Sequence, residues 1–167
     1  MTDKTENKKI KIKKLYEDTI VPSRAHATDS GLDLFVYSIE KLFSEGNEDG
    51  VSINSSEIIL SPGSRVLVNT GIAATVGAGY EIQIRPRSGL ALKQGLTVLN
   101  TPGTVDEAYR GTVGVIIINL SSRHVKIEKG MKIAQMVACP VYLGEVEIVD
   151  DLDKTDRGAG GFGSTGV

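Results

Sequence analysis

The chain has 167 residues, 40% of them hydrophobic and 24% charged, the balance of one ordinary globular domain with enough apolar mass to bury its own core. A formal net charge of −2 argues against a protein that coats nucleic acid, and a single cysteine, Cys139, excludes an internal disulfide. Trp is absent and there are 19 glycines, which belong in turns, hairpins or close backbone approaches because glycine weakens helix and strand interiors.

Residues 1–9 (MTDKTENKK) are polar and carry no signal or transit pattern. No apolar run approaches the ~20 residues that span a membrane, so a reducing cytoplasm is the expected setting, with Cys139 a small buried hydrophobe. Lysines 8, 9, 11, 13 and 14 alternate with Ile10 and Ile12, which predicts a strand with one wet face rather than a nucleic-acid patch. The segment ATDSGLDLF (27–35) places Asp29 and Asp33 around Gly31 at the entrance to a strand. Residues 38–44 carry the one hint of a helical period. Residues 44–56 (SEGNEDGVSINSS) are acidic and turn-rich and lack the Asp spacing and closing Glu of a calcium loop, so they read as a surface loop.

From there short β-branched runs recur: EIIL, RVLVN, YEIQI, LTVLN, TVGVIIIN, VKIE and KIAQMVACPVYL, separated by turns such as SPGS, VGAGY, KQG, TPG and EKG. Many short strands without alternating helices predict an all-β jelly roll or barrel. Between them, RPRSGLALK (85–93) supplies two arginines, a hydroxyl and a glycine at a strand end. NTPGTVDEAYRG (100–111) is a turn carrying Asp106, Tyr109 and Arg110, and KGMKIAQMV (129–137) sets Gln135 in an otherwise apolar strand. The tail 153–167 (DKTDRGAGGFGSTGV) has only Phe162 and Val167 as large apolar side chains. It is expected to be a mobile arm on a folded body of residues 1–152, because it buries too little to offset its ordering entropy. Its Arg157 suits a phosphate, its Gly-Ser-Thr run suits an anion, and Phe162 suits stacking on a base.

In their order, these segments resemble the five motifs of the trimeric deoxyuridine triphosphatase (dUTPase) family, over roughly residues 22–166. GTVDEAYRG is similar to that family's G-x-[IV]-D-x-x-Y-R-G, and RGAGGFGSTG to its R-G-x-G-G-F-G-S-T-G. The resemblance implies a distorted jelly-roll subunit in a homotrimer, with three active sites each built from three subunits and a C-terminal arm exchanged between neighbours. It implies hydrolysis of dUTP to dUMP and diphosphate with magnesium. By position it makes Asp106 the acid that activates the attacking water. Tyr109 would pack on the deoxyribose, excluding a 2′-hydroxyl, and Asn100, with the hairpin at Gly103 and Val105, would contact uracil. Arg87, Ser88, Gly89 and Gln135 would contact phosphates. Asp33 would lie near the metal's water shell. Arg157, Phe162, Gly163, Ser164 and Thr165 would form the closing arm, with Phe162 over uracil.

Chemistry agrees with those roles. A nucleoside triphosphate carries roughly four negative charges, so displacement at phosphorus depends on positioning and charge neutralisation, here by Arg87, Arg157 and a metal. His26 and His124 are far apart in sequence and no Cys cluster accompanies them, which favours a hard magnesium ion held by phosphates and water over zinc. The chain departs from the family pattern in a longer stretch before Ser61, with 38–56 as an inserted surface loop. Two other readings exist: a nucleotide-switched regulatory protein that docks a partner through 38–56, and a dCTP deaminase. The deaminases use a glutamate at the base position and lack the glycine-rich arm.

Overall fold

A computed structural model describes residues 9–161, so Lys8 and the arm positions Phe162, Gly163, Ser164 and Thr165 lie outside the described residues. The alternating runs form strands: β1 (Lys11–Lys14), β2 (Leu32–Phe35), β3 (Ser38–Ser44), β4 (Asn47–Ser55), β5 (Glu57–Leu60), β6 (Arg65–Asn69) and β7 (Ile72–Thr75). They continue with β8 (Tyr80–Arg85), the short helix α1 (Ser88–Gln94), β9 (Leu96–Val98), β10 (Gly103–Val105), β11 (Gly114–Asn119), β12 (Val125–Glu128) and β13 (Lys132–Pro140). A four-stranded sheet in the order β10-β8-β13-β2 and a five-stranded sheet in the order β4-β3-β6-β11-β9 are joined by the ribbons β1-β7 and β12-β5, with antiparallel pairing throughout.

Period-two patterning drives this arrangement. In β11, Val115, Ile117 and Asn119 are buried while the residues between them are not. Such inward rows meet in one core: Leu34, Ile82, Ile84 and Met136 from one sheet, Ile39, Val66, Val68 and Ile117 from the other, and Leu60 and Ile127 from a ribbon. Each of these side chains contributes about 1.5–3 kcal/mol on burial. The all-β expectation holds. In β1 the lysines face water while Ile10 and Ile12 pack on the core, as their alternation predicts.

Five local expectations do not hold. Residues 38–44, with their hint of helix, form β3, whose Ile39 is fully buried and which is paired on both sides, to β6 and to β4. Residues 44–56 are therefore no irregular loop: β4 completes a hairpin, with Gly46 and Gly50 in left-handed backbone. Its acidic residues disguised a strand because β4 is outermost in its sheet, where charge on the free edge is tolerated. RSGLALKQ turns into α1, seven residues long and too short to show a helical repeat, and closed by Gly95 at φ 68°, whose N–H donates to the Ala91 carbonyl. The last strand ends at Pro140 rather than running to residue 143, leaving Tyr142 and Leu143 exposed. Cys139 is half-buried rather than a core residue, and its Sγ lies 3.3 Å from the Arg85 guanidinium.

Asn119 ties the end of β11 to its neighbours from a fully buried position. Its Nδ2 donates to the carbonyls of Leu60 (2.9 Å) and Arg123 (2.7 Å), and its Oδ1 accepts from the N–H and hydroxyl of Ser121. Asn119→Ala is expected to cost about 2–4 kcal/mol in denaturant unfolding, because it orphans buried partners. A change below about 0.5 kcal/mol, the scale of a neutral surface substitution, would contradict this.

Candidate active site

Two clusters form from the motif residues. The first lies where β2, β13 and β8 run side by side. Gln135 stands opposite Asp33 on one side and Arg85 on the other, so segments distant in sequence meet in one row. Arg87, just past the end of β8 at the N-cap of α1, turns back across this row. Its Nε donates to Asp33 Oδ1 at 3.0 Å and its Nη1 to the Lys132 carbonyl at 3.3 Å. Lys132 Nζ lies 2.8 Å from the other carboxylate oxygen. Asp33, only 13% exposed, thus holds two cations side by side in partial shelter from water, where ion pairs are screened less than on an open surface.

Sequence reasoning missed Lys132, and the reason is a bulge. The β13–β2 register shifts between Lys132 and Ala134, so Ile133 and Ala134 both point into the core and Lys132, not Ile133, shares a face with Asp33 and Gln135. Strict alternation counted back from Gln135 assigns that face to Ile133. The two arginines of RPRSG are also sorted apart: Arg85 bonds along its own strand to Gln83 Oε1, leaving Arg87 to the carboxylate. Asp29 is occupied within its own loop. It accepts from the His26 N–H at 2.9 Å, the main reason its carboxyl titrates below the usual range, with the His26 ring adding to the effect. Gln135 donates to the Pro86 carbonyl at 2.9 Å, and its side chain lies against Gly31, where a Cβ would stand 2.1 Å from Oε1. Ser88 and Gly89 open α1, so their N–H groups have no acceptor within the helix.

The second cluster follows β10. After Val105, paired with Ile82, the chain turns through 106–109 with the Tyr109 N–H on the Asp106 carbonyl (3.1 Å). The Arg110 guanidinium donates to the carbonyls of Glu107 and Tyr109, clasping the turn. The Tyr109 hydroxyl donates to the Thr112 carbonyl at 2.9 Å. Asp106 and Tyr109 are exposed at the mouth of a cavity of about 160 Å³, lined also by Thr104, Val105, Thr112 and Val113. The expected hairpin does not form, since β10 pairs with β8 and not with a chain neighbour; at the start of β10, Gly103 leaves room for Asn100, whose Nδ2 would lie 3.2 Å from a Cβ there.

A single chain does not unite the two clusters. Asp106 lies beside Tyr80 and Glu81, whereas Arg87 lies beyond Arg85; the four-residue step from Glu81 to Arg85 spans about 13 Å at strand rise. Among the described residues Arg157 joins neither cluster; its Nε donates to the nearby Gly160 carbonyl (2.9 Å). Among the described residues no three His, Cys, Asp or Glu side chains are grouped to hold a metal directly.

The fold and these clusters define a protein built almost wholly of β-strands, with two cations gathered on one sheltered carboxylate and a separate cavity edged by a carboxylate and a tyrosine. A family model described as dUTPase matches residues 17–166. The deoxyuridine 5'-triphosphate nucleotidohydrolase of Clostridium novyi (strain NT) is 50% identical over 159 residues, covering 95% of this chain and 99% of that protein. That of Gloeothece citriformis is 51% identical, with 95% and 97% covered. Among solved structures, a mutant Staphylococcus bacteriophage 80alpha dUTPase with dUpNHpp matches with a TM-score of 0.78 at 24% identity, covering 95% of this chain and 99% of that one, and so shares the fold. A phage phi11 dUTPase mutant, described with a structural Mg(II) ion, matches with a TM-score of 0.68 at 22% identity over 86% of this chain and 97% of that one. This chain belongs to the dUTPase family.

Proposed function

We propose that the protein is a dUTP diphosphatase, hydrolysing dUTP to dUMP and diphosphate and so limiting uracil incorporation into DNA while supplying dUMP for dTMP synthesis. The observation that carries this reading is the convergence of Asp33, Arg87 and Gln135 from three separated motifs on one sheet end. The triphosphate lies on Arg87, the opening N–H groups of α1 at Ser88 and Gly89, and Gln135. Asn100 and the backbone from Gly103 to Val105 read uracil, and a cytosine there leaves buried polar groups unpaired at about 1–3 kcal/mol each. A water aligned by Asp106 attacks the α-phosphorus. Its proton passes to the carboxylate, the bond from the α-phosphorus to the α,β-bridging oxygen breaks, and diphosphate leaves.

The donor set suits a magnesium ion bound through phosphates and water: among the described residues no acidic cage competes for it, and each Asp33 oxygen, though paired with a cation, keeps a lone pair for a metal-bound water. When bound, that ion neutralises phosphate charge. Because Asp106 and Arg87 lie apart along β8, we place the complete site between subunits of a homotrimer. The arm, with Arg157, Phe162, Gly163, Ser164 and Thr165, closes over a neighbour's nucleotide. Supporting this, Tyr142, Val146 and Ile148 are at least 94% exposed in the single chain, an apolar cost that a neighbouring subunit removes. The body is residues 1–152 and the arm 153–167, with the departure from the sheets already made after Pro140. The β3–β4 hairpin takes no part in the reaction and is where we place any protein partner. No described helix is long and apolar enough to cross a membrane, and we assign the protein to the cytoplasm.

Incubation with dUTP and magnesium is expected to release diphosphate, with dTTP, dCTP and UTP poor substrates. No turnover of dUTP at micromolar enzyme overturns the reading, and ammonia release from dCTP replaces it with deamination.

A further inference from the structure

Most glycines in the turns take left-handed backbone that other residues resist, but Gly111 does not. Its conformation admits a side chain; its surroundings do not. A Cβ at 111 would stand 2.4 Å from the Tyr109 hydroxyl oxygen, 2.6 Å from Cζ and 3.0 Å from Cε2. The phenol therefore lies back across the bare Cα of residue 111, and its hydroxyl is tethered just beyond, on the Thr112 carbonyl. From the other end the turn is fixed by Arg110 on the carbonyls of Glu107 and Tyr109. The ring is half exposed at the same cavity as Asp106, so its resting depth sets one wall of that cavity.

We propose that Gly111 is a positioning residue for sugar specificity: it is glycine so that the Tyr109 ring can lie flat against the backbone and present a wall at the depth that admits a 2′-deoxyribose and rejects a ribose. The inference rests on the reading that Tyr109 packs against the sugar. Any side chain at 111 forces the ring outward by about an ångström, from 2.4 Å toward the 3.4 Å of ordinary contact, and breaks the tether to Thr112. A hydroxyl group is of the same size as that displacement, so discrimination is lost before folding or chemistry is.

The test compares kcat/KM for dUTP and UTP in the full-length protein with Gly111→Ala, Tyr109→Ala and the double variant. Gly111→Ala is expected to lower the dUTP:UTP ratio about tenfold or more, mainly through KM for dUTP, with the thermal midpoint nearly unchanged. In the Tyr109→Ala background the glycine substitution is expected to change nothing further, because there is no ring to displace. Equal losses in both backgrounds overturn the inference, since Gly111 then acts through the backbone alone. If Tyr109→Ala lowers the ratio and Gly111→Ala does not, the inference fails while the sugar assignment stands. If Tyr109→Ala leaves the ratio unchanged, the sugar assignment falls and the inference with it. Should Gly111→Ala not fold, Tyr109→Phe removes the tether and keeps the ring: a partial fall in the ratio supports the inference, and an unchanged ratio overturns it.

Discussion

Asp106→Asn is expected to lower dUTP turnover by about 10²–10⁴-fold while leaving nucleotide affinity within a few-fold, the signature of losing a proton acceptor rather than a binding contact. The amide keeps the size of the carboxylate but does not take a proton from an aligned water. Folding should be unaffected, because Asp106 is exposed and its turn is closed by its backbone carbonyl, not its side chain. Diphosphate release gives the turnover, and calorimetric titration with dUpNHpp gives the affinity. Turnover within about tenfold of the parent removes Asp106 from the role of general base.

Deleting residues 153–167 is expected to abolish most activity, by about a thousandfold or more, if Arg157 supplies transition-state charge as inserted arginines do in other phosphoryl transfers. The deletion should cost the folded body little. Among the described residues the hydrogen bonds of 153–161, such as Arg157 to the Gly160 carbonyl, stay within that segment, and the last strand ends at Pro140. Light scattering should show the assembly intact and a thermal melt should show the midpoint nearly unchanged, while diphosphate release collapses. Full turnover by the truncated protein shows that the arm is no lid. Lost assembly shows that residues 153–167 build the interface rather than close the site.

Most strands were legible because burial of one face leaves a period of two. The VIIIN run of β11 and the EIQI run of β8 each send every second residue into the core. The signal failed where only one of the factors was local. The hairpin β3–β4 carries charge suited to an edge, so its polarity reads as a loop, and only its pairing to β6 holds Ile39 in the core. The helix α1 is shorter than the repeat that would reveal it.

The sequence alone determined the chemistry available: an acid and a tyrosine in one turn, an arginine followed by Ser-Gly, a glutamine in an apolar strand, and an arm with Arg157 and Phe162, in an order that resembles the dUTPase motifs. Only the tertiary structure decided which of these groups meet. Strand register brings Asp33 opposite Gln135, and a bulge adds Lys132 to that face. Within one chain Asp106 sits beside the Glu81 end of β8 and the cation cluster beyond its Arg85 end, a step of about 13 Å along the strand. The physical reason is that side-chain types are written residue by residue, whereas ladder register and bulges are set by the packing of the whole core. The space beneath Tyr109 that Gly111 leaves open is likewise visible only once the ring has been placed.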